Sequence, residues 1–234
     1  MLGKILTKSF KIFTLFDIPV YFHSTFLIML LLVAIFSPPT ALLFVGAYTF
    51  VLMHEFGHCL AAKWCDLEVV SITILPFGGI AGIADLKGDP KKELLVTFAG
   101  PFVNAALVSF FSIPLLAMGS MPTWLAGVVI MGWWINVMLF VFNMIPCFPM
   151  DGGRILRAIL TLYWGDLLRA TRVAVLVGRV FACGFIGLGL YFFHIMWIVI
   201  GLVIMYLAEM EYRMLKQSVH MGDLEEQLQE LEEN

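Results

Sequence analysis

Stretch after stretch of this 234-residue chain is apolar over the length a helix needs to cross a lipid bilayer, and that repetition limits the fold more than any motif does. A hydrocarbon core about 30 Å thick takes about 20 residues of α-helix. Water is absent there, so backbone groups must be satisfied internally, by helices or closed barrels. Hydrophobic residues make up 61% of the chain and charged residues 13%, against roughly one half and one quarter in soluble domains. A chain of this length has room for about six spans and short loops. It has none for a separate soluble domain of ordinary size.

The apolar runs and their breakers set out the order of elements. Residues 1–19 mix Leu, Ile and Phe with Lys4, Lys8 and Lys11, which suits a segment lying in the membrane interface. Spans are expected over residues 20–37, ending at Pro38-Pro39, then 40–64, 92–118 and 123–145. The first lacks a small-residue cleavage site and is followed by further spans, so it reads as a retained helix, not a signal peptide. Residues 171–212 are too long for one span and divide near Gly187 to His194 into a fifth and a sixth. Between the second and third spans, residues 69–83 (VVSITILPFGGIAGI) are β-branched and broken by Pro76 and Gly78-Gly79, which predicts a β-hairpin. Its apolar character places it in the membrane boundary, packed on protein or lining a wet cavity, because bare strand edges are not tolerated against lipid. The expected fold is an all-α polytopic membrane protein: a core over 1–212 with six transmembrane helices and a re-entrant hairpin, then a polar tail over 213–234. That tail carries Asp223, Glu225, Glu226, Glu230, Glu232 and Glu233. Cys59, Cys65, Cys147 and Cys183 form no C-x-x-C pair and read as buried thiols.

Cytoplasmic loops collect Lys and Arg. With six spans and both termini cytoplasmic, Lys63, Lys87, Lys91, Lys92, Arg154, Arg157, Arg169, Arg172, Arg213 and Lys216 fall on the inner side with the three N-terminal lysines, and only Arg179 falls within a span. The two short outer connections, 38–40 and 119–122, hold no basic residue.

The second span contains His54-Glu55-Phe56-Gly57-His58. Residues four apart on a helix share a face about 5–6 Å apart, so both imidazoles can reach one ion while Glu55 can take a proton from an attacking water. An ionisable residue within the bilayer costs roughly 2.5–3.5 kcal/mol even on the lenient insertion scale, so an idle glutamate is a poor occupant of this position. A catalytic zinc takes three protein ligands and keeps a fourth position open. His23, His194 and His220 read as interfacial or packing residues, whereas Asp151, in Asn143-Met-Ile-Pro146-Cys-Phe-Pro149-Met-Asp151-Gly-Gly-Arg154, follows the fourth span. Two prolines break the helix there and two glycines allow close backbone approach. Asp151 then either points inward as a ligand or caps the helix starting near Gly152. Depth favours the ligand: counted from Thr40, His54 lies roughly 21 Å down its span, on the side where Asp151 follows its own.

These residues resemble the site-2 protease family of intramembrane metalloproteases, especially its compact archaeal and bacterial members. The likeness rests on His54-Glu55-x-x-His58, the Pro76 to Gly79 turn, Gly100-Pro101-x-x-Asn104 and the Asn143 to Gly153 run. It implies one Zn2+ per chain held by His54, His58 and Asp151, with Glu55 as general base. It further implies hydrolysis of peptide bonds in membrane-spanning proteins or peptides near the cytoplasmic side of the cell membrane. Asn143 and Pro149 then engage the substrate, with Asn143 a candidate oxyanion donor by the same likeness. Beside it stands a reading from the residues alone: an exposed strand edge at Pro76, Gly78 and Gly79 could pair with an unwound substrate, or the hairpin could simply plug the site. Asn104 and Asn136 are expected to be interhelical hydrogen bonds. The 234-residue sequence shows neither the nucleotide-binding repeats nor the inserted peptide-binding domain of some relatives, as expected either of a minimal version or of a trimmed chain. No nucleic-acid partner is expected and the sequence is silent on oligomeric state. The rival functions are a metal-ion transporter, for which the other spans supply few ligands, and a catalytically silent relative that binds membrane proteins, against which the intact Glu55 argues.

Overall fold

Period-two burial decides the start of the chain. In the computed structural model, which describes residues 8–84, 88–116, 119 and 121–232 with side chains through Met221, Ser9–Leu15 forms strand β1 and Ile18–His23 forms β2. Ile18 and Val20 are fully buried while Pro19 and Tyr21, which alternate with them, are not, the pattern of a strand with one face on a core. Phe16 and Asp17 join the two strands with positive φ of 52° and 59°, as a two-residue hairpin turn requires. His23 ends β2 and caps helix α1 (Ser24–Phe36), its Nδ1 accepting from the Thr25 amide at 3.3 Å. The first expected span is thus part strand and part a 13-residue helix. Its apolar run is continuous, so hydropathy does not mark the change of backbone.

Helix α2 (Pro38–Trp64) follows, then β3 (Val69–Leu75) and β4 (Gly78–Ile83), the expected hairpin with its expected bounds. The strands lie in the order β1-β2-β3-β4, antiparallel, parallel and antiparallel, with Val20 opposite Ile72 and Leu75 opposite Gly78. The all-α expectation is corrected to this extent: the hairpin is half of a four-stranded sheet, whose other half is β1, from within the segment expected as interfacial, and β2. Ile18, Val20, Ile72 and Ile74 from the sheet pack with Phe26 of α1 and with Phe56 and Cys59 of α2. Phe56 and Cys59 are three apart, on one face of the helix.

Helices α3 (Pro90–Leu115) and α4 (Thr123–Asn143) complete the first of two units, which ends at Asn143. Asp89 caps α3, its carboxylate accepting from Lys91 N at 2.8 Å. Gly57 of α2 sits where a Cβ would lie 2.8 Å from the Ala99 carbonyl, a small-residue contact of the kind that lets membrane helices approach closely.

The second unit, from Met144, holds α5 (Asp151–Trp164), α6 (Leu167–Tyr191) and α7 (Ile195–Glu232). The break between α6 and α7 falls at 192–194, inside the region where the 171–212 stretch was expected to divide. Gly189 allows it: a Cβ there would meet Ile198 and the His194 carbonyl within 3.0 Å. The polar tail continues α7 as helix to Glu232; its acidic side chains, like Lys4 and Lys87, lie outside the described residues. Arg157 of α5 is 1% exposed, stacks over Phe148 at 5.2 Å and donates to Glu211 of α7 at 2.7 Å. Arg157→Met gives up this ion pair and the guanidinium stacking on Phe148 together, and is expected to destabilise this unit by about 3 kcal/mol. Thermal unfolding in micelles reads the loss, and adding Glu211→Gln should recover part of it.

Among the described residues, α2, α3, α4, α6 and Ile195–Met221 of α7 are long and apolar enough to cross a membrane. The chain is therefore a multi-pass membrane protein.

Candidate metal centre

Six consecutive residues of α2, His54 to Cys59, are buried, whereas most of the helix before and after them is not. Burial all round a helix requires neighbours on every side. The sheet covers Phe56 and Cys59, and α3 covers the face carrying the two histidines. At the closest point stands Gly100, whose added Cβ would lie 2.3 Å from Nε2 of His58 and 2.8 Å from Cε1 of His54. Only a residue without a side chain leaves room for both rings there. On another side β4 reaches Glu55: a Cβ on Gly79 would lie 2.4 Å from Glu55 Cγ.

Each imidazole is anchored through its inner nitrogen. His58 Nδ1 lies 2.8 Å from the Val96 carbonyl, which can only accept, so Nδ1 is the protonated nitrogen of that ring. His54 Nδ1 lies 2.6 Å from Asn104 Oδ1, an acceptor as well. Both Nε2 atoms then carry lone pairs, and they converge to 3.1 Å. Two facing lone pairs repel unless a cation lies between them. A zinc ion bonded to two imidazoles at about 2.0–2.1 Å in tetrahedral geometry sets its nitrogens about 3.3 Å apart. The pair therefore fits a zinc-sized divalent ion, with both rings held by the outer hydrogen bonds such ligands use.

The other expected site residues divide between hairpin, helix end and second unit. Pro76 accepts the Tyr48 hydroxyl at its carbonyl, Phe77 beside it is fully exposed, and Gly78 takes a φ of 140°. Asn143, at the end of α4, donates Nδ2 to the Leu139 carbonyl at 2.9 Å, a helix-internal bond. In the second unit Asp151 is the first residue of α5 and is buried. The glycines after it allow the turn: a Cβ on Gly152 would lie 2.2 Å from the Ile145 carbonyl, and one on Gly153 would lie 2.6 Å from the backbone at Cys147 and Phe148. Met150 makes no side-chain cap, so the Asp151 carboxyl belongs to the first turn and is not the N-cap. Pro149, after a cis peptide, lines a cavity of about 110 Å³ with Arg154, Met210, Glu211 and Met214.

Two residues do more in the structure than their sequence context indicates. Asn104 does bond between helices, to Asn136 at 2.9 Å, but its oxygen also holds His54. Gly100 was visible only as part of a motif. Its i+4 spacing to Asn104 on the buried face of α3 was the available signal, and which helix that face meets was not.

The model of Peptidase family M50 matches residues 42–123 and 118–185. A zinc metalloprotease of Methanocaldococcus jannaschii is 34% identical over 226 residues, covering 89% of this chain and 62% of the relative, so the chain spans less than two thirds of that protein's length. Among solved structures, a site-2 protease from Methanocaldococcus jannaschii aligns with a TM-score of 0.63 at 29% identity, over 88% of this chain and 95% of that one.

Proposed function

This chain belongs to peptidase family M50, and from that premise we propose that it is an intramembrane zinc metalloprotease of the site-2 type. The observation that carries the reading is the pair of Nε2 atoms 3.1 Å apart on a membrane helix, with Glu55 buried beside them. His54 and His58 supply two ligands and Asp151 the third. Zinc in such a site supplies Lewis acidity, polarising a carbonyl and making water a stronger acid. Glu55 accepts the proton of the attacking water and delivers it to the departing amine.

The substrate is a membrane-spanning segment, which must leave its helix to expose a carbonyl. The outer edge of β4 would take it as an added strand, with Gly78 and Gly79 keeping that edge low beside Glu55 and Pro76 fixing the turn. Asn143 and Pro149 engage the unwound chain. Charge supports six passes with the strands before α1 and the polar C-terminal end of α7 both cytoplasmic. If α1 did not cross, Lys8 and Lys11 would lie on the opposite side from Lys63, Lys91 and Lys92. The short α1 is therefore the sixth pass, in the cell membrane. A transporter reading leaves Glu55 without a special role.

Removing zinc with a chelator should abolish cleavage of a membrane-spanning peptide in vesicles, and stoichiometric zinc should restore it. Asp151→Ala should bind zinc at least tenfold more weakly. A stripped chain that still cleaves would end the proposal.

A further inference from the structure

His58 is held by a backbone carbonyl, but His54 is held by a side-chain amide that could equally present its NH2 group. What fixes that amide is a chain of bonds running across to α4. Asn136 donates Nδ2 to the Gly132 carbonyl at 2.8 Å. A carbonyl has no proton to give, so Asn136 must turn its oxygen the other way, toward Asn104 Nδ2 at 2.9 Å. Asn104 then turns its own oxygen to His54 Nδ1 at 2.6 Å. The direction set at Gly132 thus passes through two amides to the imidazole and leaves its lone pair on Nε2. Asn104 and Asn136 are both fully buried, out of reach of bulk solvent as a substitute partner.

We propose that Asn136, which touches neither the histidines nor any metal, is a positioning residue. Through Asn104 it selects the His54 tautomer able to bind zinc. The inference rests on the zinc reading above and adds to it a polar relay from α4. In Asn136→Leu the Asn104 amide loses its acceptor and is free to turn. It then offers Nδ2 to His54, which moves the proton to Nε2 and blocks coordination. Asn136→Asp, protonated in this buried place, accepts and donates as asparagine does and keeps the relay. Asn104→Asp, ionised by its direct hydrogen bond to the His54 imidazole, has only accepting oxygens to offer that ring, so it should make position 136 irrelevant.

Zinc affinity, measured by chelator competition on the full chain in micelles, tests this without reference to cleavage. Asn136→Leu should weaken zinc binding by about 10–100-fold, Asn136→Asp by less than about threefold, and Asn104→Asp should return the Asn136→Leu chain to near wild type. Nitrogen-15 histidine spectra of the metal-free wild-type chain should show His54 protonated at Nδ1, a readout that stands even if the leucine variant fails to fold. Unchanged zinc affinity in folded Asn136→Leu, or His54 protonated at Nε2 in the wild type, would overturn the relay while leaving the metal centre intact. A wild-type chain that binds no zinc would overturn the metal centre and the relay with it.

Discussion

Replacing Glu55 with glutamine should lower peptide hydrolysis by about 10²–10⁴-fold, the range for loss of a positioned general base, while the chain keeps its zinc. The two readouts separate because of where the residue stands. Glu55 follows His54 directly, so it lies about 100° round α2 from that ligand, and it meets Gly79 of β4 on a different side from the one where Gly100 meets the rings. Glutamine has nearly the same shape and fills the same space, so neither the sheet nor the histidines need move; only proton acceptance is lost. Product formation from a membrane-spanning peptide, with zinc content measured on the same sample, checks it. Zinc lost along with activity would make Glu55 a ligand and not a base.

The second large effect belongs to a residue with no functional group. Gly100→Ala should weaken zinc binding by at least 100-fold, because the added methyl carbon would lie 2.3 Å from the ligating nitrogen of His58 and 2.4 Å from its Cε1. Neither ring can back away freely: His58 is tied to the Val96 carbonyl and His54 to Asn104. The alternative, a shift of α3 away from α2, would open the contact at Gly57, already 2.8 Å from Ala99 by the same measure. Gly127→Ala and Gly184→Ala, where an added Cβ meets nothing within 4 Å, should leave zinc affinity unchanged and serve as controls. A Gly100→Ala chain that binds zinc normally would mean that the rings do not occupy this position when loaded.

The site's chemistry was more legible than its support. His54, Glu55 and His58 are one helical turn of a span, and their spacing alone puts two imidazoles within reach of one ion. Asp151 could be suspected because two prolines and two glycines around it forbid a plain helix. The tautomers of both rings could not be foreseen, since they depend on Val96, Asn104 and Asn136, 38 to 82 residues away along the chain. Those partners are set by how α3 and α4 rotate about their own axes, and that rotation has little signature in membrane helices. Apolar residues face lipid and neighbouring helices alike, so the amphipathic stripe that orients a helix in water is absent.

What the sequence determined by itself was therefore local and periodic: the apolar lengths that make helices in lipid, the turn residues that bound the hairpin to 69–83, and the motif that sets two ligands one turn apart. Tertiary structure alone decided the rest. It made Ile18–His23 a strand, since a short apolar run carries no period that tells strand from helix until a partner strand, here β3, offers its hydrogen bonds. It also decided which nitrogen of each histidine carries the lone pair. Hydrogen-bond direction is imposed by neighbours distant in sequence, and no pattern within the helix that bears the histidines encodes it.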